Sequence, residues 1–198
     1  MSRISRTDGS TFTRRGRAWA EATELSPSEI RVRLGGVFRG AWLARMSCGL
    51  AERHISIDHI HARLTTDDMW IAELHLIAMP EAADPLTVDY TALAEESDAP
   101  ISGRLELDSY RLIESRDYGG SLMLTLEAAD SLGLLGALLG GLAQLELFPV
   151  EMHIETREGR AYDSIWLAAA GGSPPSAQAR DGAAVLLSGS RKPQRTPS

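Results

Sequence analysis

The sequence predicts an α+β protein in which one strand–helix–strand–strand unit occurs twice. Three observations carry that prediction. Two segments, Glu29 to Met79 and Ser121 to Ala170, repeat the same order of elements. Within each, short runs alternate apolar and polar residues, the period of a half-buried strand. Behind the first run of each lies a stretch whose apolar residues recur at helical spacing, the pattern of one buried stripe.

The chain opens on an Arg/Ser-rich arm, 1–28, expected to be largely disordered, in which only Arg17 to Leu25 has the makings of a short helix. The first copy then begins with a strand, Ile30 to Leu34, whose apolar set is Ile30, Val32 and Leu34. A helix from Gly40 to Arg53 follows, with Trp42, Leu43, Met46 and Leu50 on its stripe. A second strand, Ile55 to Thr65, turns at Thr66-Asp67-Asp68 into a third, Trp70 to Ile77. Asp84-Pro85 is placed to start a further helix from Leu86 to Glu96.

Leu105 to Leu107 and Tyr110 to Ile113 read as strand, and would complete the first copy as βαββαβ. The second copy runs through a strand at Leu122 to Leu126, a helix carrying Leu134, Leu135, Leu138, Leu139 and Leu142, and strands at Leu147 to Thr156 and Ala161 to Leu167. Gly136, Gly140 and Gly141 each weaken that helix by up to about 1 kcal/mol relative to alanine, and would let another backbone come close. Its fourth strand comes either from Ala183 to Leu187 or from Leu105 to Ile113. Residues 173–198, with four prolines, otherwise read as a disordered tail.

Composition narrows the function classes. Hydrophobic residues make up 43% of 198, enough for a packed core. Setting the basic ends aside leaves 11 basic and 25 acidic residues in 19–172, an acidic body that repels a phosphate backbone. Nucleic acid is therefore not an expected partner. No apolar run approaches the roughly 18 residues a membrane span needs, and no signal-like apolar region follows the N-terminal arginines, so neither a membrane nor export is expected. The single cysteine, Cys48, excludes an intrachain disulfide and reads as a small core residue; a cytoplasmic protein is the default.

The chemistry-bearing motifs are few. No G-x-S-x-G, H-E-x-x-H, P-loop or paired C-x-x-C occurs. Gly35-Gly36 and Gly140-Gly141 are too isolated to cradle a phosphate, and Asp67-Asp68 is a solvated hairpin tip. His59, His61 and His75, with Glu73, would line one face of the first copy's hairpin, where three ligands meet a metal only in one strand register. The plainer reading is a polar sheet surface, so no metal, cofactor or catalytic residue is expected.

Leu124-Thr-Leu-Glu-Ala-Ala-Asp130-Ser-Leu-Gly133-Leu-Leu resembles the opening of an ACT domain, a strand, a D-x-x-G turn and a Leu-rich helix. Pro149 to Thr156 and Gly159 to Trp166 resemble that family's second strand, hairpin and third strand, and Ala62 to Thr66 is similar to the same strand ending in the first copy. The resemblance implies two ferredoxin-like (βαββαβ) modules, 29–116 and 117–172, with antiparallel sheets backed by helices. Tandem copies are similar to stand-alone ACT-repeat proteins and to the regulatory ends of nitrogen-sensing nucleotidyltransferases. It further implies a small ligand, often an amino acid, held where the first turn and helix meet a neighbouring domain.

On this sequence the ligand-binding positions would be Asp130, Ser131, Leu132, Gly133 and Leu134, with Arg39 and Gly40 at the matching turn of the first copy. The physics agrees. A helix N-terminus offers unpaired N–H groups and about half a positive charge, and a glycine there lets a carboxylate reach them. A plainer role for Asp130 is the N-cap, worth about 1 kcal/mol. The first copy departs from the pattern at Val37-Phe-Arg39-Gly40, with Val37 in place of the aspartate. There either Arg39 pairs a ligand carboxylate, or the copy has kept only its structure.

The reading is a ligand-responsive regulatory protein, not an enzyme, working by allosteric population shift as a homo-oligomer or on a client enzyme. The alternatives are a constitutive structural or protein–protein module without ligand, and a ferredoxin-like enzyme using the His59/His61/His75 face.

Overall fold

The computed structural model describes residues 18–39, 41–95 and 105–191. In chain order the strands and α-helices are β1 (Trp19–Ser26), β2 (Glu29–Gly36), α1 (Trp42–Ala51), β3 (Ile55–Leu64), β4 (Trp70–Ala78), α2 (Tyr90–Glu95), β5 (Ser109–Ser115), β6 (Ser121–Ala129), α3 (Leu134–Ala143), β7 (Phe148–Arg157), β8 (Arg160–Ala168) and α4 (Ala177–Gly189). The strands form one eight-stranded sheet in the order β1-β2-β4-β3-β7-β8-β6-β5, antiparallel throughout. The fold is thus α+β, and its sheet repeats one order outward from a central β3–β7 seam.

Alternation sets the two faces. Ile30, Val32 and Leu34 of β2, Ala72, Leu74 and Leu76 are partners in the ladder or neighbours across it, and all are buried. Leu122, Leu124 and Leu126 of β6 face Asp163, Ile165 and Leu167 of β8 in the same way. The helices cover this face, and a single apolar cluster runs through both halves. Phe38, Trp42 and Trp70 form its aromatic end, with ring centroids 5.1 and 5.5 Å apart in succession.

The two central helices meet at Gly136, where a Cβ would lie 2.7 Å from Cys48 Sγ of α1. The expectation that α3's glycines let another backbone come close holds there, with Cys48 N and Ala44 O at 3.4 and 3.5 Å, whereas Gly141 is met by the side chain of Leu186 of α4.

Several expected elements differ. Residues 1–17 of the arm expected to be disordered lie outside the described residues, and its remainder, where a short helix at 17–25 was an option, holds the edge strand β1 paired along β2. Most of its side chains are exposed, so its ladder partner and not its own periodicity makes it a strand; Trp19 lies over Gly35, where no Cβ stands in the way. The tail, expected to be disordered with Ala183 to Leu187 as one of two options for the fourth strand, holds a helix, α4, and its residues 192–198 lie outside the described residues. Ser176 accepts from the Ala179 N–H to cap it, and Ala183 and Leu187, four apart, are its buried stripe.

β5 pairs with β6, so Leu105 to Ile113 serves the second copy and not the first, and β1 takes the outer place in the first. By strand pairing, one half of the sheet is built from β1 to β4 and the other from β5 to β8. The helix expected over Leu86 to Glu96 is split. Asp84 caps a 3-10 turn at Pro85–Thr87, and Asp89 then caps α2 through the Ala92 N–H. That bond, followed by one from the Thr91 hydroxyl, holds the Asp89 carboxyl below its usual value. Among the described residues no helix is long and apolar enough to cross a membrane.

Candidate functional site

A cleft opens where β6 ends and α3 begins, against the other half of the molecule. The ladder between β6 and β8 closes at Ala129–Arg160, and the Asp130 N–H then donates to Gly159 O at 2.9 Å, pinning the turn to the β7–β8 hairpin. The chain leaves the sheet through Ser131 and Leu132 and enters α3 at Gly133, whose φ of 85° is left-handed, a conformation that favours glycine. No side chain caps α3, and its first turn carries no acidic residue. Asp130 is thus not the N-cap that the sequence allowed.

The enclosed part of the cleft is small, about 30 Å³, and reaches about 420 Å³ only when the open solvent at its mouth is included. The second half contributes Asp130 to Leu135 and Asp163; the first contributes Ser47 and Ala51 of α1 and Ile55 to Ile57 of β3.

Its electrostatics centre on two carboxylates. Asp163 points into the apolar face between Ala161 and Ile165 and is only 3% exposed. Its Oδ1 is buried with no hydrogen-bond partner. Burial first, then the charge of Asp130, pushes its carboxyl up to about 7. Asp130 is also raised, by burial and then by the charge of Asp58, against the lowering effect of the Ser131 N–H. Asp163 therefore keeps its proton up to about neutrality and ionises more readily beside a cation, and Asp130 is raised in the same direction. An ammonium group meets them, and the uncapped amides of α3 suit a carboxylate.

Asp130, Ser131, Leu132, Gly133 and Leu134, all expected from sequence, line this cleft together. Arg39 does not. Its side chain is exposed and lies outside the cleft, and its carbonyl accepts from the Trp42 N–H at 2.8 Å. Gly40 lies outside the described residues. Asp163 was missed, although its signal was present: a charged residue in the apolar register of a strand, Ala161, Asp163, Ile165, Leu167.

Among the described residues the first half has no such acid pair. Leu34 faces Ala72 across the β2–β4 ladder where Leu126 faces Asp163 across β6–β8. Phe38, in the turn after β2, is buried against Trp42 where the second half carries Asp130. The two turns are chemically unlike: the second carries Asp130 and the first Phe38.

On the face of the sheet away from the helices, the register sets His59 opposite His75 and His61 opposite Glu73. His59 and His75 both share Asp58 Oδ2, at 3.2 and 3.0 Å. A bulge between Ile57 and His59 turns Asp58 to that side.

No family model and no curated protein sequence matches the chain. Among solved structures it is similar to the crystal structure of aspartate kinase from Synechocystis, at 15% identity and a TM-score of 0.49, over 81% of this chain and 27% of that one. The chain thus spans about a quarter of that protein's length.

Proposed function

We propose that the chain is an amino-acid-responsive regulatory protein whose halves are ACT-type, ferredoxin-like modules, with one ligand site in the cleft at Asp130 and Asp163. The observation that carries the reading is the buried Asp163 with an unpartnered oxygen, beside Asp130 and the uncapped start of α3. An unpaired polar atom in a core is costly, on the order of 1–3 kcal/mol, and a ligand ammonium relieves that cost. An amino acid brings both charges at the right polarity, its ammonium to the carboxylates and its carboxylate to the helix amides.

Strand order supports the module assignment. Each half reads outer, first, third, second across the sheet, the order of a ferredoxin-like unit, with the fourth-strand place filled by a strand that precedes the unit and not by one that follows it. The regulatory mechanism rests on the lining. Residues of α1 and β3 face those of the β6–α3 turn across the cleft, so a ligand wedged there binds one spacing of the halves more tightly than another. Coupling of about 1–3 kcal/mol is typical of such arrangements, and a second copy or a client enzyme would read it.

The test is thermal melting of the full chain against a panel of single amino acids. A ligand at 100 times its dissociation constant adds about 2.7 kcal/mol, which raises the melting temperature by about 5–10 °C in a chain of this size. Asp163→Asn removes the negative charge and is expected to abolish the rise. A panel in which no amino acid moves the wild-type transition sinks the proposal.

A further inference from the structure

Four of the chain's five histidines, His59, His61, His75 and His153, stand on the open face of the sheet on three adjacent strands. Two of them meet across the seam between the halves. His61 of β3 and His153 of β7 are direct partners in the ladder, and their rings stack at 4.7 Å with 24° between planes. Glu151 lies two residues before His153, on the same face. Its Oε1 is 3.0 Å from His61 Nε2 and 3.3 Å from His153 Nε2, and the three atoms lie within 4.8 Å of one another.

We propose that His61, Glu151 and His153 form a binding site for a divalent transition-metal ion such as zinc, held across the β3–β7 seam. The donor set is the first argument. Two imidazoles and one carboxylate suit zinc, nickel, cobalt or copper and are a poor match for calcium or magnesium, which take oxygen ligands. The spacing is the second. Ligand atoms at about 2.0–2.1 Å from a tetrahedral zinc lie roughly 3.3 Å from each other. The two separations from Glu151 Oε1, 3.0 and 3.3 Å, are near that value, and all three ligand atoms lie within 4.8 Å of one another.

The third argument is the support around Glu151. Its side chain is 10% exposed while both imidazoles are more than half exposed, so the carboxylate is fixed at the floor and the histidines are open to an arriving ion. The Tyr118 hydroxyl donates to Glu151. Tyr118 is held there by a left-handed backbone, φ 54°, in the β5–β6 turn, with its ring 6.0 Å edge-on from Trp166. Trp166 in turn stands 5.7 Å edge-on to His153. Outer-shell contacts of this kind fix ligand orientation in metal sites.

Arg63 works against the ion. It is the ladder partner of Glu151 on the same face. Glu73, opposite His61, partly offsets it, although Glu73 also pairs with Arg33 at 3.3 Å. The cluster of Asp58, His59 and His75 has a similar donor set but lies within the first half alone. It is the competing location, and the experiment separates the two.

The full chain, stripped with chelator, is titrated with Zn2+ by calorimetry and with Co2+ by visible absorption. Wild type is expected to bind, and His153→Ala and His61→Ala each to abolish one binding step. His75→Ala leaves that step in place. Tyr118→Phe weakens it by about 10–100-fold. Because the ion joins β3 to β7, Zn2+ raises the wild-type melting temperature and leaves that of the His61→Ala/His153→Ala double variant unchanged. Exposure of both histidine side chains, 58% and 54%, makes loss of folding an unsuitable explanation, and circular dichroism of each variant checks it. The proposal is overturned by wild-type binding no tighter than that of the double variant, or by a loss confined to His75→Ala, which would put the ion on Asp58.

Discussion

Asp163 occupies a place in β8 where every other residue of its register is apolar, and its protonation is therefore tied to folding. In the unfolded chain its carboxyl titrates near the ordinary 3.8; in the folded protein burial and the facing Asp130 raise it to about 7. Below about pH 4 both states carry the proton, and the group has no effect on stability. As pH rises from about 4 to about 7 the unfolded chain gives up the proton first, so stability attributable to this group falls. Above about 7 the loss is complete and constant.

Asp163→Asn keeps a neutral side chain of the same shape throughout. Urea unfolding is expected to show the variant gaining on wild type between pH 4 and pH 7, by up to a few kcal/mol, since each tenfold change in proton affinity is worth about 1.4 kcal/mol, and gaining no more above that. The charge of Asp130 acts on Asp163 and that of Asp58 on Asp130, so wild type alone reports a mixture; the difference from Asp163→Asn isolates the one group. A gap that does not change with pH would contradict the assignment. At Gly133 the constraint is backbone and not charge. With φ at 85°, Gly133→Ala is expected to cost about 1–2 kcal/mol, read as a lower urea midpoint with an unchanged slope.

Between elements, the tightest place is the crossing of α1 and α3. A Cβ on Gly136 would meet Cys48 Sγ at 2.7 Å, and beyond it the Cys48 N and Ala44 O at 3.4 and 3.5 Å. Gly136→Val is therefore expected to destabilise by about 1–3 kcal/mol despite valine's better helix propensity than glycine. Shortening the neighbour by Cys48→Ala in the same chain recovers part of that loss, so the double variant is more stable than the sum of the singles predicts. Strict additivity would mean that the helices do not touch there. These elements were legible because their periodicities are strong: β2, β3, β4, β6, β7, β8, α1 and α3 each carry an apolar alternation or stripe of their own. β1 and α4 were not, because each borrows its stability. β1 is an edge strand defined by its ladder with β2, and α4 buries only Ala183 and Leu187. A sequence signal for α4 did exist, in Pro174-Pro175 followed by the capping Ser176, but proline pairs mark tails as readily as helix starts. The cleft was half legible for a similar reason. Asp130 to Leu134 form a local turn that motif spacing reveals, whereas Asp163, Ser47 and the residues of β3 arrive from distant segments.

For the whole molecule the decisive contact is the β3–β7 ladder, from His59–Glu155 to Arg63–Glu151. Nothing in either strand announces that its partner is the corresponding strand of the other copy, because a pairing of that separation leaves no periodicity behind. It makes the metal cluster possible, since His153 and Glu151 belong to one repeat and His61 to the other. It also determines how the chain unfolds. With one continuous sheet, α1 packed on α3 and one apolar cluster spanning both halves, separating the halves would expose buried surface on each. The halves are therefore expected to unfold together. Native-state hydrogen exchange tests this, since amides of β3 and β7 should exchange only through global unfolding while those of the edge strand β1 exchange by local fraying at lower free energy. Thermal and urea transitions followed by tryptophan fluorescence, from Trp19, Trp42 and Trp70 in one half and Trp166 in the other, should coincide with those followed by circular dichroism. Two separated transitions, or β3 and β7 exchanging as early as β1, would mean that the seam joins the halves only weakly, and a ligand in the cleft would then have no coupled partner to act upon.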